Sequence, residues 1–403
     1  MPRWRPVRKR RRGVRSLTQT KKRSPLFLLF FGMQALVYAA HGVCVNYMSL
    51  ALDHLGFTSG QIGTLMAIPP VIALIAQPMW GVIADKAKTK NRVLILMFGL
   101  AGLAVLAYNL GTSMMFFAVV MSIYAFFERP AMALKDGINL EAIEGTQYRF
   151  GPMRFGGSFG YIITMSLCGG IAATNPKALF IVGGLLTEIL AIYCLLLPKV
   201  KGKGRGKQVS PWRLIKDWRV LRILIFSLIF GINIGFFDSF YGVYLTEQQF
   251  SGDTAGLLIG LVGISEIPFL LFGHKLPIKK HMNFMMVATG LLQAVRWILL
   301  FIGGGFGLQL VLQLFTSWTA TGITVTGQEY LNSTVPDELK ASAQMLQGMM
   351  AVTLGNILGN VIGGWAGELF SLQATFLGCA ALAVIGVTFF AVTAHTVKKV
   401  EVQ

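Results

Sequence analysis

Twelve apolar runs, each close to the length needed to cross a lipid bilayer, constrain this chain more than any other feature. A spanning helix needs about 20 predominantly apolar residues. Such runs lie at roughly 26–52, 61–84, 93–111, 114–137, 148–173, 177–198, 219–245, 254–273, 283–302, 305–331, 341–368 and 372–395. In hydrocarbon the backbone must satisfy its own polar groups, so runs of this length form helices. Of the 403 residues only 13% are charged and 54% are hydrophobic, against about 25% charged in a soluble domain. The expectation is an all-α integral membrane protein with twelve transmembrane helices.

The connecting loops support that number. The segment before span 1 holds eleven Lys or Arg, and residues 199–222 between spans 6 and 7 hold nine. The loop after span 2 carries Lys86, Lys88, Lys90 and Arg92. Lys135, Arg149 and Arg154 surround the turn after span 4, Lys275, Lys279 and Lys280 follow span 8, and Lys340 follows span 10. The loops after spans 1, 3, 7, 9 and 11 have no base, and the one after span 5 has only Lys177. This alternation places both termini in the cytoplasm of a multi-pass cell-membrane protein. A missed helix would break it.

Residues 1–24 read as a basic cytoplasmic tail lying on anionic lipid headgroups, at about 1 kcal/mol per basic residue. The Gly- and Lys-rich stretch within 199–218 reads as a cytoplasmic linker. It divides the chain into six-helix bundles at 25–198 and 219–396, followed by a short cytoplasmic tail at 397–403. Pro70 falls on Pro268 and Gly157 on Gly355 at one offset, suggesting two pseudo-symmetric bundles with a site between them.

Polar groups inside the spans mark the candidate site. Asp136 and Arg154 lie equally far, in opposite directions, from a turn near Gly145. In an antiparallel helix pair they would stand at similar depth, about 13 Å in at 1.5 Å per residue. Arg154, Ser158 and Tyr161 share one helix face. The bland alternative is a structural ion pair at the cytoplasmic rim. Glu266 and Arg296 sit deep in spans 8 and 9, where a charge costs about 2.5–3.5 kcal/mol and points to function by default. They could pair, either for coupling or merely to fix helix register. Asp238 with Tyr241, and His41, Asn46 and Tyr47, are further cavity candidates. Glu128 and Arg129 could form an internal pair. Glycines 355, 359, 363 and 367 form a packing stripe on span 11.

The stretch Gly81-Val-Ile-Ala-Asp85-Lys86-Ala-Lys88-Thr-Lys90 resembles the signature loop of the major facilitator superfamily. Gly81, Asp85, Lys86 and Lys90 match it, while Lys88 stands where the family has Gly and Thr89 where it has a base. This loop would act as a conformational latch. Tyr148-x-x-Gly151-x-x-Arg154-x-x-Gly157-Ser158-x-Gly160, with Ser265-Glu266-Ile-Pro268 and Arg296-Trp297, resembles the branch containing lactose permease, the 3-phenylpropionate transporter and nucleoside proton symporters. The resemblance implies a major facilitator fold, with Asp136, Arg154 and Tyr161 holding solute. It gives Glu266 and Arg296 a part in coupling. The His and Glu that carry protons on the tenth helix of lactose permease are missing. Glu266, Asp238 and Glu329 remain as carboxyls able to cycle a proton.

The resulting expectation is a secondary active transporter. It would move a sugar, a nucleoside or an aromatic carboxylate by alternating access, coupled to protons. An exporter of drugs or metabolites fits the same acids. No nucleophile motif, phosphate loop, disulfide framework or metal spacing appears, so neither enzyme activity nor a cofactor is expected. Nucleic-acid binding by the basic run sits badly with the spans that follow. The protein is expected to act as a monomer.

Overall fold

The computed structural model describes residues 25–202, 212–272, 281–336 and 339–400. The basic tail at 1–24, most of the linker, and the loop at 273–280 fall outside the described residues. So does the side chain of Glu266.

Among the described residues all regular secondary structure is helical. The first half comprises α1 (Leu26–His54), α2 (Ser59–Lys86), α3 (Lys90–Leu110), α4 (Met114–Ile143), α5 (Phe150–Thr174) and α6 (Pro176–Leu196). The second half comprises α7 (Trp218–Glu247), α8 (Gly252–Phe272), α9 (Met282–Ile302), α10 (Phe306–Leu314 continuing as Thr316–Thr334), α11 (Ser342–Leu369) and α12 (Leu372–Val400). Among the described residues, ten of these runs are long and apolar enough to cross a membrane. The exceptions, α8 and α10, are helical at the expected places, but α10 is interrupted at Phe315 and rich in threonine.

Local chemistry sets the boundaries. Thr58 caps α2 in a reciprocal box with Gln61, satisfying two orphan backbone donors. Ser113 and Asn175 accept from the first turns of α4 and α6. The turn between α4 and α5 sits where the sequence places it: Gly145 has φ 74°, a left-handed conformation that favours glycine. Two helices contain π-turns, at Gly42–Asn46 in α1 and at Met349–Leu354 in α11. Such turns are frequent at functional sites.

Small residues let the helices approach. A Cβ on Gly156 or Gly160 of α5 would collide with the Phe31 or Ala35 carbonyl of α1. Gly355 and Gly359 of α11 lie equally close to Gly231 and Ile232 of α7. The expected glycine stripe is therefore a packing seam, repeated in both halves.

The halves meet through α2 against α11 and α5 against α8. These two pairings exchange under a six-plus-six relation. The contacts gather away from the side on which α1 begins, here called the tail side. Gly63 lies against the Asn360 carbonyl and Gly364, while Gly169 lies against Gly252 and Gly256. Glu368 accepts from the Gly60 N–H at 2.9 Å, and Asn360 donates to the Met66 carbonyl at 3.1 Å. These two are the hydrogen bonds that join the halves among the described residues. The far side is thus sealed by backbone-close packing.

Candidate functional site

On the tail side of that seal lies a cavity of about 370 Å³ between the halves. The first half lines it with Tyr38, His41, Asn46, Arg129, Arg154, Ser158 and Tyr161. The second half contributes Asp238, Ser239, Asn356 and Asn360. Pro69 and Pro70, near the break in α2, complete one wall.

Arg154, Ser158 and Tyr161 face the cavity from successive turns of α5, as their spacing predicts. The Arg154 guanidinium lies over the Tyr38 ring, 4.0 Å from its centroid. A cation on a ring face is held electrostatically, so Arg154 is positioned without a carboxylate. Asn46 donates its side-chain N–H to the Tyr161 hydroxyl. The π-turn in α1 ends at Asn46, linking a deformable backbone segment to the site.

Asp136 departs from expectation. It does not line the cavity. Its Oδ1 accepts from Lys135 at 2.8 Å and Gln34 at 3.0 Å. The reason is topological. The helices α4 and α5 share a turn but diverge, α4 packing on α2 and α3 and α5 on α1 and α8. Equal depth therefore does not bring Asp136 and Arg154 together. Lys135, fully buried and 4.9 Å from the Tyr38 ring centroid, connects them indirectly.

Two tyrosines are core residues. Tyr47 is 0% exposed and donates to the Met165 carbonyl. Tyr241 is 3% exposed and donates to Gln309 Oε1 at 3.1 Å. Asp238, read together with Tyr241 in the sequence, does line the cavity, one turn from Gly235.

The coupling candidates are dispersed. Arg296 is 4% exposed and donates from Nε to the Leu312 carbonyl at 3.2 Å. Its guanidinium rests between the rings of Phe237 and Trp297. It does not line the cavity, and the structure does not describe its expected partner, the Glu266 side chain. Glu329 lies in the second part of α10, also outside the cavity wall.

The signature loop is organised around Lys90. Its ammonium lies 3.7 Å from Asp85 and 2.6 Å from Glu141 at the end of α4. The Lys90 backbone N–H donates to the Val200 carbonyl. Lys86 is exposed, and Gly81 lies one turn before Asp85 on α2. Among the described residues no three His, Cys, Asp or Glu could hold a metal ion.

Tyr38, Asn356 and Asn360 were not singled out by the sequence, and Arg129 was read only as part of an internal pair. A usable signal existed for the asparagines. Each follows a seam glycine by one residue, Gly355 and Gly359, so the polar stripe runs beside the packing stripe. Tyr38 carries no such mark, because a tyrosine in an apolar helix is usually core.

Comparison with known proteins agrees with this architecture. The maltose permease of Geobacillus stearothermophilus is 23% identical over 372 residues, covering 91% of this chain and 93% of the permease. The nucleoside permease NupG of Escherichia coli (strain K12) is 23% identical over 359 residues, covering 81% of this chain and 83% of NupG. A crystal structure of NupG superposes with a TM-score of 0.80 at 20% identity, over 92% of this chain and 99% of that one. The MFS_1 like family model matches residues 27–378. The chain belongs to the MFS_1 like family and is a major facilitator transporter of small solutes, resembling the nucleoside symporter branch.

Proposed function

We propose that this transporter binds a nucleoside, or a sugar of similar size, in the central cavity and carries it by proton-coupled alternating access. The observation that carries the reading is the composition of the cavity wall. Hydrogen-bonding side chains from both halves converge on one space of about 370 Å³. The rings of Tyr38 and Tyr161 offer flat faces for a base or sugar. Arg154 offers paired donors to carbonyl or hydroxyl oxygens. Asp238 and the two asparagines offer acceptors and donors from the opposite wall. The printed identities of the relatives, permeases for nucleosides and for maltose, favour the same solute classes.

The alternating basic loops favour a cytoplasmic tail side. In this reading the structure is inward-facing, and transport proceeds by rocking the halves about the site. The seal described above would open as the tail side closes. Lys90, Asp85 and Glu141 would fasten the tail side of the first half during that motion.

The test is uptake of radiolabelled uridine and maltose into proteoliposomes under an imposed inward proton gradient. Gradient-dependent uptake of one of them, abolished by Arg154→Ala, is the expected result. Absence of uptake of both, with efflux of organic cations against the gradient, would replace it with the exporter reading.

A further inference from the structure

The cavity contains a second ionisable constellation. His41 Nδ1 and Glu128 Oε1 are 2.8 Å apart. Glu128 Oε2 lies 3.7 Å from Arg129 Nε. Glu128 is 3% exposed, whereas His41 and Arg129 both line the cavity.

Its hydrogen bonding is incomplete. Glu128 Oε2 and Arg129 Nε are both buried without a hydrogen-bond partner. Glu128 Oε2, held only by the 3.7 Å ion pair to Arg129, keeps the capacity for a further hydrogen bond. With Glu128 ionised its carboxylate only accepts, and the 2.8 Å contact is then donated by His41 Nδ1–H. Nε2 is then the imidazole nitrogen with a lone pair. The site thus has two places for one added proton, His41 Nε2 and Glu128 Oε2.

We propose that the His41–Glu128 pair, held by Arg129, binds the proton whose uptake is linked to solute occupancy. This rests on the proton-coupled reading above and moves the coupling site to the first half. A proton entering from the cavity bonds to Nε2 and makes imidazolium, while the Nδ1–H remains donated to Glu128. Loss of that proton restores the neutral ring. The charge change occurs on the cavity wall, so it alters the field felt by a solute on Arg154 and Asp238.

Other titratable groups surround the pair. Tyr38 and Cys44 lie on α1, Tyr124, Arg129 and Lys135 on α4, and Arg154 and Tyr161 on α5. Asp238 of α7 faces the same cavity, and α2 presents only apolar residues to it.

The experiment measures uridine affinity of the full chain in lipid nanodiscs from pH 5 to 8, for wild type, Glu128→Gln and His41→Gln. One linked proton changes affinity by up to about tenfold per pH unit. Wild-type dependence of that kind, flattened in both variants whatever their absolute affinities, supports the proposal. A dependence that persists in both variants, or a flat wild type, overturns it. If uridine fails to bind wild type, the nucleoside reading falls, and histidine NMR of the ligand-free protein decides the proton site. The expected result is one resonance, absent from His41→Gln, that changes protonation across this range and is altered by Glu128→Gln. A His41 resonance invariant with pH overturns the site.

Discussion

The Arg154 guanidinium lies over the Tyr38 ring, 4.0 Å from its centroid, and reaches the central cavity from that position. The ring fixes the cation while leaving its N–H donors for a guest. A carboxylate partner would have consumed them. Replacing Tyr38 by Leu is therefore expected to weaken solute binding several-fold by loosening Arg154, with little effect on stability. Binding isotherms and melting curves of the purified variant check this.

Tyr47 and Tyr161 separate core from site. Tyr47 is buried on the Met165 carbonyl, while Tyr161 faces the cavity with Asn46. Tyr47→Phe should cost about 1 kcal/mol of stability, the worth of one buried hydrogen bond, and leave affinity unchanged. Tyr161→Phe should lower affinity and spare stability. Paired melting and binding measurements distinguish the two outcomes.

The seal on the far side can be broken at one atom. A Cβ on Gly63 would collide with the Asn360 carbonyl oxygen, and Gly364 lies just beyond. Backbone cannot yield as a flexible side chain can. Gly63→Val should hold the halves apart there, abolishing transport while the protein still inserts. Cysteine labelling at Ser59, low in wild type, should rise sharply in this background.

Glu368 contributes a weaker part of the same seal through its bond to the Gly60 N–H. A carboxylate at a helix N-terminus is favoured by the helix dipole. Glu368→Ala should cost about 1–2 kcal/mol, shifting the conformational balance toward far-side opening by about 5- to 30-fold. The same labelling assay reads this shift.

Lys90 is buried between Asp85 and Glu141, whereas Lys86 is exposed. Hydrogen bonds to charged groups are worth about 1.5–3 kcal/mol, and removing Lys90 leaves two acids facing each other. Lys90→Ala should lower the melting temperature and the transport rate, and Lys86→Ala should change neither. Melting and initial-rate measurements on the pair test this.

Much of the fold is legible in the sequence because bilayer thickness fixes helix length and loop charge alternates. The face shared by Arg154, Ser158 and Tyr161 was equally readable, since it depends only on helical period. What the sequence could not provide was which helices touch. Asp136 and Arg154 match in depth yet belong to helices that part after their turn. Tyr47 and Tyr241 lie on the right helices but point into the core. One position of rotation separates wall from core, and the π-turn beside Tyr47 shifts that rotation in a way no 3.6-residue count anticipates.

In the proposed function the solute sits in the space beside Arg154. The most direct measurement is equilibrium binding of uridine and maltose to purified wild type, Arg154→Ala and Arg154→Lys. One solute is expected to bind wild type, with a loss of about 10- to 100-fold in affinity in Arg154→Ala and partial recovery in Arg154→Lys. Equal binding to all three proteins would contradict that placement.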